Sequence, residues 1–398
     1  MRSRPVTTGR CMRRNFRYLT VLGAGVLVGG TPLAAQTFDG VSRAAMLGVT
    51  RRVYPGAVVI VGRLDSMLFS RGLGRLTWSA RAARPSPDST LWDVASLTKV
   101  VATTGVTARF VDRGLLDLDA PVSNYLPTFI GDDRSLVTVR MLLDHTSGLP
   151  AFIALWQVTA VPGDVVARIC IEPLRRPPGT AAEYSDLNAI LLGAILEVVG
   201  GAPLDVLVRR EVIEPLGLTH TSFGVASSAR TAVAPTTSLG QVRTGTVNDP
   251  NAAYLGGVAG HAGLFSTGPD LARVARAWLG LGTLDGVTWL SAATVRRFLQ
   301  ASPASGTRLL GWDTPDVTGP EPSSFGRHPD PGTYGHTGWT GTQMWIDPAR
   351  DVYVIFLTNR AYEPRVRETF QAMRRIRAGL ADAVLAAVPC PAVAGSEC

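Results

Sequence analysis

The sequence predicts an α+β fold: an antiparallel sheet flanked by terminal helices, with a mostly helical lobe inserted between its strands. Three observations carry this. Short β-rich runs of period two concentrate near the two ends of the chain. Helical spacing dominates residues 100–320, and an amphipathic stretch flanks the strands at each end.

Taken in order, residues 1–35 have the layout of an export signal. Six arginines and no acidic residue precede an apolar stretch, 18–30, too short to span a bilayer comfortably, and Leu33-Ala34-Ala35 offers a cleavage site. Arg13-Arg14-Asn15-Phe16 is similar to a twin-arginine signal, which implies a periplasmic or extracellular destination and no stable membrane span after its removal. Residues 41–52 follow with helical spacing. The pattern of the β-rich runs 57–61 and 67–70, with 62–66 between them, predicts a hairpin.

A Pro/Ser-rich loop at 82–90 leads to an apolar helix over 96–113, which Gly114 stops. Further helices are expected at 186–199, closed by Gly200-Gly201, and at 204–212 and 271–279. From Gly332 onward the period changes to two. The runs 343–345 and 352–357 flank Asp347-Pro348-Ala349-Arg350, a turn between antiparallel strands. A last helix is expected to start at Pro364, with Val366, Phe370, Met373, Ile376 and Leu380 along one face. One domain over 36–388 results, its α/β lobe from about 36–95 and 321–388, its helical lobe from about 96–320, and a tail at 389–398. Pockets form where two such lobes meet.

Charge narrows the function. The formal net charge of +8 falls to about +2 once the six arginines of the leader are set aside, so nucleic acid is not an expected partner. No cysteine–histidine cluster has zinc spacing, and neither a metal nor a cofactor is expected. Cys390 and Cys398 flank a short tail that a disulfide would close in an oxidising compartment, which leaves Cys170 as a small buried hydrophobe.

The chemistry starts from a count. Of 39 basic residues only Lys99 is a lysine, and a guanidinium cannot give up its proton where an amine can. Ser96 stands three residues earlier, on the same face of a helix, within reach of Lys99 as an activated nucleophile. At the first turn of its helix Ser96 also meets the positive end of the dipole. Biased codon usage and chance spacing would give the same pair, so the rest of the chain has to decide.

Two further patterns do so. Tyr184-Ser185-Asp186 precedes the helix at 186–199, and His336-Thr337-Gly338-Trp339 opens the C-terminal strands. Supporting text includes Leu142-Leu143-Asp144-His145-Thr146-Ser147-Gly148-Leu149, Gly260-His261-Ala262-Gly263-Leu264-Phe265-Ser266-Thr267 and Asp270-Leu271-Ala272-Arg273. In the order Ser-x-x-Lys, Tyr-x-Asn/Asp, Lys/His-Thr-Gly, the chain resembles the serine β-lactamase-like hydrolases, in the branch of class C β-lactamases, DD-peptidases, esterases and penicillin-binding proteins.

The resemblance implies that Ser96 forms an acyl-enzyme while Lys99 and Tyr184 shuttle its proton, which calls for their pKa values to fall well below about 10. It implies an oxyanion hole from the N–H groups of Ser96 and Trp339, with Asp186, His336, Thr337 and Gly338 lining the substrate cleft. Two positions depart from the commonest pattern. His336 stands where most β-lactamases carry lysine, and Asp186 where an Asn amide often holds the substrate carbonyl. An ionised Asp186 cannot donate that bond and would raise the pKa of Lys99 by pairing with it; capping the helix that follows is its other reading. Both changes weaken the case for β-lactam turnover. The expected order of substrates is therefore D-Ala-D-Ala peptides, then esters, then β-lactams, with a slowly deacylating penicillin or muropeptide sensor as the non-enzymatic alternative. Of the other histidines, His145 is expected to brace a loop and His261 is a candidate for the cleft wall.

Overall fold

The computed structural model describes residues 37–225 and 233–389. The export signal expected at 1–35 and the Cys390–Cys398 pairing lie outside the described residues.

The α+β expectation holds. After helix α1 (Asp39–Thr50) come strands β1 (Gly56–Gly62) and β2 (Met67–Gly74), and near the C-terminus β3 (Tyr334–Thr337), β4 (Gln343–Asp347) and β5 (Val352–Thr358). They form one antiparallel sheet in the order β3-β4-β5-β1-β2. Strand β1 is apolar and wholly buried because it pairs on both sides, with Val59 opposite Phe356 of β5 and Arg71 of β2. Alternate residues serve opposite faces. Val59, Val61, Val354 and Phe356 join one apolar cluster with α1 and the C-terminal helix; Val58, Ile60, Ile355 and Leu357 join the other, which continues into the inserted segment. Phe356 is fully buried, its ring edge-on to Tyr54 at 5.9 Å between centroids. Phe356→Ala is expected to cost about 3–5 kcal/mol in denaturant unfolding, as for other large aromatic truncations in packed cores.

Three expectations change in detail. The last helix, α5, spans Thr369–Ala387 and not from Pro364. Residues 364–368 run through irregular backbone, a bend and a turn instead, and Phe370 faces solvent while Met373, Ile376 and Leu380 keep the buried face. The helix after Ser96 opens as a π-helical turn, Lys99–Thr103, before α2 (Thr104–Asp112). The helix expected at 204–212 likewise breaks into a π-helical turn at Arg209–Ile213. Helix α3 (Asp186–Gly200) ends at Gly201 in the left-handed conformation, and α4 (Gly268–Leu279) packs on the second face of the sheet. The inserted segment also holds short strands, among them Leu264–Ser266, which pairs with Trp92–Asp93 beside the Ser96 turn. No single helix among the described residues is long and apolar enough to cross a membrane.

Candidate active site

Ser96 sits at the turn between Trp92–Asp93 and the helix that carries Lys99. Asp93 builds that turn. Its carboxylate accepts the N–H of Ala95 at 2.9 Å and that of Asn248 at 2.6 Å, and Ala95 adopts a φ of 49°, a conformation that costs a non-glycine residue energy. Burial lifts the Asp93 carboxyl to about 6, against the lowering by these N–H groups. The turn presents Ser96 to a cavity of about 760 Å³.

On the floor of that cavity the three predicted groups meet. Lys99 Nζ donates to Ser96 Oγ at 3.1 Å, and Tyr184 OH donates to the same oxygen at 2.9 Å. Lys99 Nζ also donates to Asp186 Oδ1 at 2.7 Å and to the His261 carbonyl at 3.1 Å. The ammonium lies 4.9 Å from the Tyr184 ring centroid. Ser185, not Asp186, occupies the cap position of α3, so the Asp186 side chain is committed to the lysine.

The electrostatics correct one expectation. Burial alone would pull the Lys99 ammonium down, but the Asp186 carboxylate, joined by Tyr184, holds its pKa above the ordinary lysine value. Burial and Asp186 likewise hold the Tyr184 phenol above its usual range, against the lowering by Lys99. Neither value falls below 10: in the resting site both groups keep their proton, because the carboxylate at 186 stabilises the charged amine.

The remaining predicted residues line the same cavity. Asp186, His336, Thr337, Gly338 and Trp339 all face it together with Ser96 and Tyr184. His336 is buried, its ring 5.9 Å from that of Tyr184, and its Nδ1 lies 2.9 Å from the Thr337 carbonyl. Burial, with Arg308 and Lys99 nearby, holds its pKa well below the usual value, so it is neutral at physiological pH and supplies no cationic charge. The N–H groups of Ser96 and Trp339 donate to no group among the described residues, as an oxyanion hole requires. Gly338 leaves no room for a side chain, since a Cβ there would meet Thr342 Oγ1 at 2.1 Å.

His145 braces a loop, as expected. Its Nδ1 accepts the Ser185 N–H at 3.2 Å and lies 3.1 Å from Asn188 Nδ2, which fixes the backbone beside Tyr184. His261 does reach the cleft wall. Its Nε2 lies 2.8 Å from Asp249 Oδ1, and that contact, against the cost of burial, pulls Asp249 down to about 2.

Sequence reasoning missed Arg308. Its guanidinium lies 5.1 Å from the Tyr184 ring centroid, pairs with Asp313 at 3.4 Å and faces the cavity. It is a permanent cation where neutral His336 offers none. One arginine among many carries no spacing signal, so only the fold singles it out. Asp93 and Asp249 were missed because they stand in no motif, and their contacts with Asn248 and His261 show only in the fold. Exposed Phe152, Leu239, Trp339 and Phe370 border the cavity.

Comparison with known proteins agrees with this geometry. The Beta-lactamase family model matches residues 39–378. The chain belongs to the β-lactamase family. As a β-lactamase-family protein it is a serine hydrolase, and its curated relatives fit that assignment. It is 32% identical over 346 residues, 78% of this chain and 80% of the relative, to a protein of Escherichia coli (strain K12) named as a D-alanyl-D-alanine carboxypeptidase. The same identity holds with an N-acetylmuramyl-L-alanine amidase of Bacillus subtilis (strain 168), over 78% of each chain. Among solved structures, a penicillin-binding protein homologue from Caulobacter crescentus superposes with a TM-score of 0.68 at 24% identity, covering 88% of this chain and 97% of the other. A β-lactamase from Sulfitobacter sp. EE-36 superposes at 0.69 with 22% identity, covering 88% and 98%. These two share the β-lactamase fold with this family member.

Proposed function

We propose that this protein is an exported serine hydrolase that cleaves a peptide ending in D-alanyl-D-alanine through a Ser96 acyl-enzyme. The observation that carries the reading is the placement of Ser96 Oγ between Lys99 Nζ and Tyr184 OH, in a cavity that Arg308 also lines. Ser96 Oγ attacks the carbonyl carbon of the penultimate residue, and its proton passes through the Lys99–Tyr184 pair to the departing nitrogen. The C–N bond breaks, free D-alanine leaves, and water then cleaves the ester. The names of the relatives support amide bonds of alanine as the substrate class. Arg308 supplies the group that a terminal carboxylate would seek, since paired charge-assisted hydrogen bonds suit that geometry.

The domain over 36–388 acts after removal of the leader at 1–35; the family match beginning at residue 39 supports that boundary. The apolar border of Phe152, Leu239, Trp339 and Phe370 favours esters of bulky acyl groups as a second substrate class. Release of D-alanine from a diacetylated Lys-D-Ala-D-Ala tripeptide, absent in Ser96→Ala, tests the first reading; p-nitrophenyl ester hydrolysis without D-alanine release would favour the second. Arg308→Ala is expected to lower kcat/KM for the tripeptide at least tenfold further than for a neutral ester, about the worth of one charge-assisted hydrogen bond. An equal loss on both substrates would remove Arg308 as the carboxylate group.

A further inference from the structure

Helix α5 delivers a second arginine to the site from behind. Arg377 is almost wholly buried, and its Nη2 donates to the carbonyl of Gly338 at 3.0 Å and to that of Thr342 at 2.7 Å. No carboxylate pairs with it among the described residues, and its Nε finds no partner there. Burial and the neighbouring Arg360 bring its pKa down to about 9, which still leaves it charged at neutral pH. An unpaired buried guanidinium is costly, and a clamp for two carbonyls does not require a charge.

Its position gives the charge a use. The Gly338 carbonyl and the Trp339 N–H belong to the same peptide unit. The oxygen end of that unit accepts Arg377 and also the Gly341 N–H at 3.0 Å, while the hydrogen end donates to no group among the described residues, and Trp339 lines the same cavity as Ser96. A cation on the carbonyl of an amide polarises the whole unit and makes its N–H a stronger donor. The unit is also rigid. Gly338 N–H donates to Thr342 O at 2.8 Å, and Thr342 Oγ1 and Thr340 Oγ1 donate to the carbonyls of Val94 and Asp93 at 2.9 and 2.8 Å. These two bonds tie the Trp339 turn to the turn that carries Ser96. Arg360 completes the arrangement, with its guanidinium 4.6 Å from the Trp339 ring centroid and its Nε donating to the Trp339 carbonyl at 2.9 Å.

We infer that Arg377 is a positioning residue of the oxyanion hole: its charge, held on the Gly338 carbonyl, strengthens the Trp339 N–H as the donor to the developing oxyanion. The inference rests on the reading of Ser96 as the acylated residue.

The test uses p-nitrophenyl butyrate with the wild type, Arg377→Met and Arg377→Lys, the pre-steady-state burst serving to count active sites. Loss of a whole oxyanion-hole donor costs about 100- to 1,000-fold, so loss of its polarisation in R377M is expected to slow acylation about 10- to 100-fold with little change in substrate affinity. R377K, whose amine gives up its proton more readily than a guanidinium in this unpaired buried place, is compared with the wild type at pH 6, where it is expected to stay charged and within about fivefold. Infrared difference spectra of the acyl-enzyme, formed with a 13C-carbonyl ester, give a readout that a packing role would not move. The ester carbonyl band is expected at higher frequency in R377M than in the wild type, and close to the wild-type position in R377K. An unshifted band in R377M, or acylation as fast as in the wild type, overturns the inference. So does loss of a cooperative thermal transition in both variants, which would make Arg377 a structural clamp. Absence of Ser96-dependent acylation in the wild type would instead remove the reading on which the inference stands, and the inference with it.

Discussion

Lys99→Arg is expected to lower kcat/KM about a thousandfold although it keeps the positive charge. The reason is the proton and not the field. Lys99 Nζ lies 3.1 Å from Ser96 Oγ, close enough to take its proton once the amine is free, and a guanidinium is never free at accessible pH. General acid–base groups contribute about 100- to 10,000-fold, and this one serves both acylation and deacylation. The larger planar head must also fit where Asp186 Oδ1 and the His261 carbonyl accept the ammonium at 2.7 and 3.1 Å. Burst kinetics on a chromogenic ester separate the two contributions: a slow burst of full amplitude reports lost proton transfer, and a missing burst reports a displaced Ser96. Activity of Lys99→Arg within about tenfold of the wild type would sink the base assignment.

The second large effect is expected at Asp186. The resting site holds protons on both Lys99 and Tyr184, so turnover depends on the fraction that has lost one. The sign follows from the cause. A carboxylate stabilises the neighbouring ammonium and raises its pKa; removing that charge lowers it. In the wild type, log kcat/KM is expected to rise with pH across the range 6–10 without reaching a plateau. Asp186→Asn should shift the whole profile towards lower pH and raise kcat/KM at pH 8 about tenfold for each pKa unit by which the amine falls. The same substitution breaks a largely buried ion pair, and about 3–5 kcal/mol of stability is expected to go with it. That loss holds through neutral pH, where the raised Lys99 pKa keeps its contribution complete, and narrows as pH climbs past the ordinary lysine value. Higher activity at lower stability is thus the signature. An unchanged pH profile in Asp186→Asn would mean that Lys99 is not the titrating group.

Much of the site was legible before the fold was known, because its residues stand in short strings with a chemical reason for each spacing. Ser96 and Lys99 are one helical turn apart. Tyr184 and Asp186 straddle a helix start, and Gly338 allows a close approach that any side chain would block. The sheet was legible for a similar reason: β1 and β5 are short, mostly apolar runs, wholly buried and paired with a strand on each side. What stayed hidden depends on distance in sequence. Arg308, Asp93 and Arg377 act on Ser96, Tyr184 or Trp339 through contacts that span tens to hundreds of residues or through the backbone, and an arginine in a chain full of arginines has no mark of its own. The proton state of Lys99 was half legible. The pairing with Asp186 was foreseen, but its contest with burial is decided by a distance of 2.7 Å that no spacing rule supplies. The start of α5 was misplaced because Pro364 suits the first turn of a helix, whereas the chain through 364–368 bends and delays the helix to Thr369.

The central claim is a covalent bond at Ser96, and the measurement that reaches it most directly is time-resolved intact mass of residues 36–398 mixed with a penicillin, reading protein and drug together. The account predicts a mass increase equal to the whole penicillin, absent in Ser96→Ala and mapped by digestion to the peptide carrying Ser96. Its decay should be slow, since Asp186 offers the substrate no amide and holds the proton on Lys99. An adduct of the same mass that persists in Ser96→Ala, or drug hydrolysed at the same rate by that variant, would contradict it.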